Sequence, residues 1–173
     1  HYGNLVQLSG GCYADGRIRR RRITVRGDNK RGGGVSLFVT NDLRFDIMNN
    51  YSLVTDHFEV VTILCHNIAI MVVYRPPHSD VSVFLKFAES FLEYTSQHKM
   101  YVVIVGDLNI DIMSVSQTQI RLLEIMLSFG CENIVDMPTR IGYQTETLLD
   151  VCITNFLPNN IMPGVFFSGI TDH

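Results

Sequence analysis

The sequence predicts an α/β fold, a layered sandwich whose sheets are mostly mixed or antiparallel. Three observations carry this. Strand-like segments outnumber helix-like ones, hairpin-like pairs of strands recur, and amphipathic helical stretches fall between only some of the strands. A strict alternation of strand and helix would have pointed to a doubly wound parallel sheet instead.

The elements follow in order. Residues 1 to 31 are Gly-rich, then Arg-rich, with little periodicity, and are expected to form a basic leader that is loop or poorly ordered. The domain proper is expected over residues 32 to 173. Gly32-Gly33-Gly34 lacks the Lys-Ser/Thr of a phosphate loop and opens no helix, so its glycines are read as a tight lead into a strand over Val35–Val39. Leu43–Met48 is a second strand. His57–Cys65 and Ile68–Tyr74, rich in Val and Ile, form a hairpin around His66-Asn67. Arg75-Pro76-Pro77 ends that pair, because proline cannot donate to a ladder. Asp80 caps a helix over Val81–Gln97, with Phe84, Leu85, Ala88, Phe91 and Leu92 on one face. Tyr101–Gly106 is a strand, and Ser116–Phe129 is a second helix stopped by Gly130. Asn133–Asp136 is short and extended, and Pro138-Thr139-Arg140 starts a loop. Leu148–Thr154 and Val165–Phe167 are the last strands.

Composition narrows the class. With 173 residues, 46% hydrophobic and 18% charged, the chain suits one domain or part of one, and the composition argues against disorder. No apolar run approaches a bilayer span, and no apolar stretch follows the polar first residues as a signal peptide requires. The start at His1 reads as processing or a fragment. Cys12, Cys65, Cys131 and Cys152 have no metal-binding spacing and read as small core residues in a reducing, intracellular setting. Charge is uneven. Residues 17–31 hold eight of the 14 Lys and Arg, opposed only by Asp28, so 6 basic and 16 acidic residues remain elsewhere. Such a tract, including Arg19, Arg20, Arg21 and Arg22, is a solvated loop, a phosphate contact or a nuclear address.

Four polar features stand at strand ends or inside apolar runs: Tyr74-Arg75, Asp107 with Asn109, Asp150, and Asp172-His173. Asp-Leu-Asn after a strand is also ordinary turn chemistry. A carboxylate within an apolar strand is costly unless paired, so Asp150 calls for a partner, and a histidine suits it. Asp107 and Asp172 could share a divalent cation. Together the residues suit metal-assisted phosphodiester hydrolysis, with a cation and a histidine offsetting phosphate charge and a carboxylate activating water.

The order of segments GGGVSLFV, VVYRPP, VIVGDLN, PTR…TLLDVCITN and ITDH resembles the endonuclease/exonuclease/phosphatase superfamily. It is more closely similar to the apurinic-type endonuclease domain of non-LTR (LINE-like) retrotransposons. The resemblance covers residues 32 to 173. It implies a four-layered α/β sandwich, two sheets face to face with helices outside. It implies magnesium- or manganese-dependent nicking of DNA that primes reverse transcription, with a reverse transcriptase domain as a partner in the parent polyprotein. Action in the nucleus follows, with no membrane and no small-molecule cofactor. On this resemblance Asp107 orients or deprotonates the attacking water and Asn109 holds an oxygen. Asp150 supports His173 at the scissile phosphate, Asp172 helps bind the cation, and Tyr74 lines the phosphate site. Thr139 and Arg140 sit where the family presents a DNA-facing loop. Charge adds Arg75 as a further phosphate contact.

Three departures qualify the resemblance. The family's early Asn and its metal-binding Glu precede the Gly-rich strand, and neither is found here; the first Glu is Glu59, within a later strand. Thr171 replaces a Ser before Asp172-His173, where the family continues into another strand. The domain is therefore expected to be truncated at both ends and to bind its cation weakly, since affinity follows ligand number and charge. An inactive nucleic-acid-binding remnant is the alternative. A relative acting on phosphoinositides or sphingomyelin is disfavoured by the YRPP wording and the absence of membrane features.

Overall fold

The structure is a computed structural model that describes residues 5–7, 20–25 and 34–156. Its centre is a hairpin of β6 (Glu59–Cys65) and β7 (Ile68–Tyr74), registered so that Glu59 faces Tyr74 and Cys65 faces Ile68. From β7 the chain passes through α1 (Val81–Gln97) and returns as β8 (Tyr101–Asp107), parallel to β7. A parallel return needs such a crossover, and α1 supplies it. Further on, β12 (Asp150–Thr154) pairs antiparallel with β8. Short strands finish this sheet: β4 (Asp46–Ile47) and β5 (Leu53–Val54) on β6, and β9 (Glu132–Asn133) on β12.

Every strand of this sheet places alternate residues on opposite faces, and both faces are apolar. On one face Val60, Met71, Val73, Val102, Ile104, Val151 and Ile153 pack against α1 and α2 (Gln117–Ser128), chiefly through Phe84, Phe91, Leu92, Leu122 and Ile125. On the other, Val61, Ile63, Ile70, Val72 and Val105 pack against Val35, Leu37 and Val39 of β3 (Val35–Thr40). That strand is the middle of a second sheet, between β1 (Leu5–Gln7), parallel to it, and β2 (Arg20–Val25), antiparallel. The described residues therefore form helix, sheet and sheet layers, with no helix among them outside the smaller sheet.

The expected architecture agrees with this in its mixed sheets and in most elements. Ile68–Tyr74 and Val81–Gln97 match to the residue. Asp80 caps α1 by accepting from the Ser82 amide at 2.8 Å, and Ser116 caps α2 by accepting from Gln119 at 3.1 Å. Other expectations are corrected. Arg20–Val25, expected as loop, is a strand whose six residues all pair with β3; the charged side chains hid a segment that closes a sheet through its backbone. Leu43–Met48 shortens to the two residues of β4, followed by a 3-10 turn over Asn49–Tyr51. The loop after Pro138 is a hairpin, β10 (Arg140–Ile141) with β11 (Glu146–Thr147). Val165–Phe167 lies outside the described residues. No described helix is long and apolar enough to cross a membrane. Cys65 and Cys131 are buried free thiols, and burial pushes the Cys131 thiol up to about 11.

Candidate functional site

The pairing registers bring four polar residues into one row. Glu59 is opposite Tyr74, Tyr74 is opposite Asp107, and Asp107 is opposite Asp150. Each is at the same end of its strand. Each also falls in the alternation with the residues that face the smaller sheet, since Val61, Val72, Val105 and Cys152 lie two positions from them on that side. Four adjacent strands at about 4.8 Å spacing make this row about 14 Å long. It lies at the mouth between the two sheets. The Gly34 amide, at the start of β3, donates to Glu59 Oε2 there.

Asp107 and Asn109 are joined by a tight local turn. The Asn109 amide donates to Asp107 Oδ1 at 2.8 Å, and Asn109 has φ +48°, a left-handed conformation that asparagine tolerates better than most residues. The Asn109 side chain donates to the Arg75 carbonyl at 2.8 Å. Asp107 is 6% exposed and Glu59 5%, so both carboxylates stand at the border of the core. Gly106 precedes Asp107 with φ +142°, and a Cβ there would fall 1.8 Å from the Val73 carbonyl oxygen. Close approach of β7 and β8 at this point requires glycine.

The row is electrostatically linked. Burial raises the Tyr74 pKa above its ordinary value, and the Asp107 and Glu59 charges raise it further, against a lowering by Arg75. The phenol is thereby kept as a neutral hydrogen-bond donor. Thr139 is buried, and its hydroxyl accepts the amides of Leu149 and Asp150 at 3.1 Å each. This fastens the base of the β10–β11 hairpin beside Asp150. Arg140 begins that hairpin and is exposed, and Tyr143 at its tip is 100% exposed.

The remaining candidates fall elsewhere. Arg75 is 2% exposed, and its guanidinium donates to the carbonyls of Leu108, Asn109, Pro76 and Ser79. The phosphate contact expected of Arg75 gives way to this internal role, because its donors are spent inside the fold. Arg20 pairs with Thr40, at the end of β3 remote from Gly34. Five residues of strand, about 17 Å, separate Arg20 from the Val35 end of β3, and Arg21 and Arg22 are four and three residues from it. Arg21 donates to the Leu43 carbonyl at 2.8 Å and stacks over Phe45 at 4.6 Å, and Arg22 donates to Thr24 Oγ1 at 2.8 Å. The fold does not bring them to the row. A shallow depression of about 390 Å³, lined by Arg44, Phe45, Asp46, Leu64 and His66, is also at that remote end. Arg19, Asp172 and His173 lie outside the described residues.

Glu59 is the site residue that sequence reasoning passed over. Its place after the Gly-rich strand sets it apart in the sequence, whereas the hairpin register with Tyr74 aligns it with the row. An acidic residue heading an apolar strand was the available signal. The described residues supply hard oxygen donors suited in kind to a hard divalent cation. They do not suffice in number, since no three His, Cys, Asp or Glu among them converge to hold a metal.

No protein-family model matches the sequence, and no curated protein matches it. Solved structures do. The endonuclease domain of TRAS1, a telomere-specific non-LTR retrotransposon, aligns with a TM-score of 0.55 at 18% identity, covering 79% of this chain and 66% of that one. An endonuclease/exonuclease/phosphatase family protein from Bacteroides thetaiotaomicron aligns with a TM-score of 0.50 at 14% identity, covering 79% of this chain and 59% of the other. The chain thus spans less than two thirds of the length of either. Sheet order, layering and these two likenesses agree, and the chain has the α/β sandwich fold of endonuclease/exonuclease/phosphatase proteins.

Proposed function

We propose that this chain hydrolyses phosphodiesters as a DNA-nicking endonuclease domain of a non-LTR retrotransposon. The observation that carries the reading is the row Glu59, Tyr74, Asp107, Asp150, set by strand register at one mouth between the sheets. Asp107 takes the role of orienting or deprotonating the attacking water. Asn109, held beside it, gives one side-chain N–H to the Arg75 carbonyl and offers the other to a phosphate or water oxygen. Tyr74 donates from a neutral phenol to the same phosphate. Asp150 supports the His173 ring, which meets the scissile group. Asp107 and Asp172 would hold magnesium or manganese, which would offset charge on phosphate oxygens. The hairpin with Arg140 and Tyr143, rooted through Thr139 beside Asp150, faces the DNA. In the parent polyprotein the nick supplies a primer end to a reverse transcriptase, which requires action in the nucleus.

Nicking of supercoiled plasmid tests the proposal. Activity is expected with magnesium or manganese and lost with a chelator. Asp107→Ala and His173→Ala are each expected to lower the rate at least about 100-fold, in the range for a lost general base or charge-stabilising group. Equal nicking by these variants and the parent chain would sink it. Salt-sensitive DNA binding without cleavage at any cation level would favour the inactive remnant instead.

A further inference from the structure

Arg75 has no role in the chemistry just described, yet it is among the largest fully buried side chains of the molecule. Three consecutive carbonyls, those of Asp107, Leu108 and Asn109, all accept from this one residue. Its backbone amide donates to Asp107 O at 2.9 Å, its Nε to Leu108 O at 2.6 Å, and its Nη2 to Asn109 O at 2.8 Å. The bond is returned, since Asn109 Nδ2 donates to the Arg75 carbonyl at 2.8 Å. The remaining nitrogen, Nη1, reaches the Pro76 and Ser79 carbonyls and the Ser79 hydroxyl at 3.0 to 3.1 Å. One planar cation thereby joins the turn before α1 to the loop after β8.

We infer that Arg75 is a positioning residue that clamps the Asp107–Asn109 loop and sets the orientation of both side chains toward the substrate. This rests on the proposed phosphodiesterase reading for its consequence, though not for its geometry. Buried carbonyls need donors, and a planar guanidinium offers five in a fixed fork. A lysine ammonium carries the charge but cannot reach three diverging groups with the same geometry. The left-handed Asn109 is held by this clamp and by the Asp107 carboxylate together.

The test uses Arg75→Lys in the 173-residue chain. Hydrogen exchange by NMR is read at the Asn109 backbone and side-chain amides, alongside magnesium-dependent nicking and the salt dependence of DNA binding. In a variant that still melts cooperatively, Asn109 exchange is expected to quicken at least tenfold while the amides of Val103 and Val105 keep theirs. Nicking is expected to fall at least tenfold in kcat, with the slope of log affinity against log salt unchanged. An unchanged Asn109 exchange in the folded variant overturns the clamp. So does a slope shallower by about one, the mark of a lost phosphate contact. Absence of nicking in the parent chain sinks the proposed function, and the exchange measurement then decides the clamp alone. If Arg75→Lys does not fold, Ser79→Ala removes one acceptor and leaves the guanidinium in place. Exchange at Asn109 two- to fivefold faster then supports the clamp, and no change overturns it.

Discussion

Gly106 shows how tightly the site is built at single positions. Its φ of +142° and the 1.8 Å approach of a hypothetical Cβ to Val73 O leave no room for a side chain, and the obstacle is backbone that cannot rotate away. Gly106→Ala is expected to cost at least about 3 kcal/mol, the range of the larger single-residue defects, measured by urea denaturation. Tyr74 gives a second prediction, on pH. Burial first, then Asp107 and Glu59, raise its pKa in the folded chain above the ordinary 10.0. A raised folded value means that the contribution to stability is full below pH 10 and is lost as pH rises through the folded value. Glu59→Gln removes one of the raising charges. Its phenolate, read as the ultraviolet difference between chains with Tyr74 and with Tyr74→Phe, is expected to form at lower pH than in the parent. A titration that does not move would separate Glu59 from the row. Neither effect was legible in the sequence. Gly106 could be seen only as a glycine in a strand, and Glu59 only as a charge heading an apolar run, because both acquire meaning from the partner strand.

Local elements were more legible, for a physical reason. The face of α1 repeats at helical spacing through Phe84, Leu85, Ala88, Phe91 and Leu92, all of them buried, and Asp80 marks its start. Such signals are contained within one segment. The β10–β11 hairpin and β2 were missed because their short or charged sequences carry no apolar alternation of their own. They form by pairing, β2 along the whole of β3. The cap of α1 makes a prediction at this scale. The Ser82 hydroxyl, then its amide, hold the Asp80 pKa below its ordinary 3.8. A depressed folded value means that the cap's ionic contribution is present above pH 3.8 and is lost as pH falls through the folded value. Asparagine caps without titrating. Asp80→Asn is therefore expected to be less stable than the parent near neutral pH, with the gap closing on acidification. Urea midpoints across that range check this. A gap that persists at the acid end would show that Asp80 acts by something other than its charge.

At the scale of the whole molecule the fold has two ends with different chemistry. The acidic row, Asn109 and the β10–β11 hairpin are gathered at the mouth where Gly34 meets Glu59. Arg20 and Arg21 are toward the other end of the smaller sheet, Arg21 against Leu43 and Phe45, and Arg22, opposite Phe38, is nearer its middle. The sequence showed both features but not their separation, since an antiparallel pairing of β2 with β3 is what carries the basic residues away. If the pair Arg21 and Arg22 binds DNA, it does so four and three strand residues, about 13 and 10 Å, from the end of β3 that meets the row. Its contribution would be electrostatic and independent of sequence. The double variant Arg21→Ser and Arg22→Ser is accordingly expected to shift DNA binding and leave kcat alone. The slope of log affinity against log salt should become shallower by about two, close to one per lost phosphate contact. Nicking at saturating DNA should keep the parent rate. The two arginines also touch Phe45, Phe38 and Thr24, so a melting curve is needed to show that the sheet survives. A fall in kcat in a variant that melts like the parent would mean that the remote end reaches the cutting site after all, and the two-ended reading would fail.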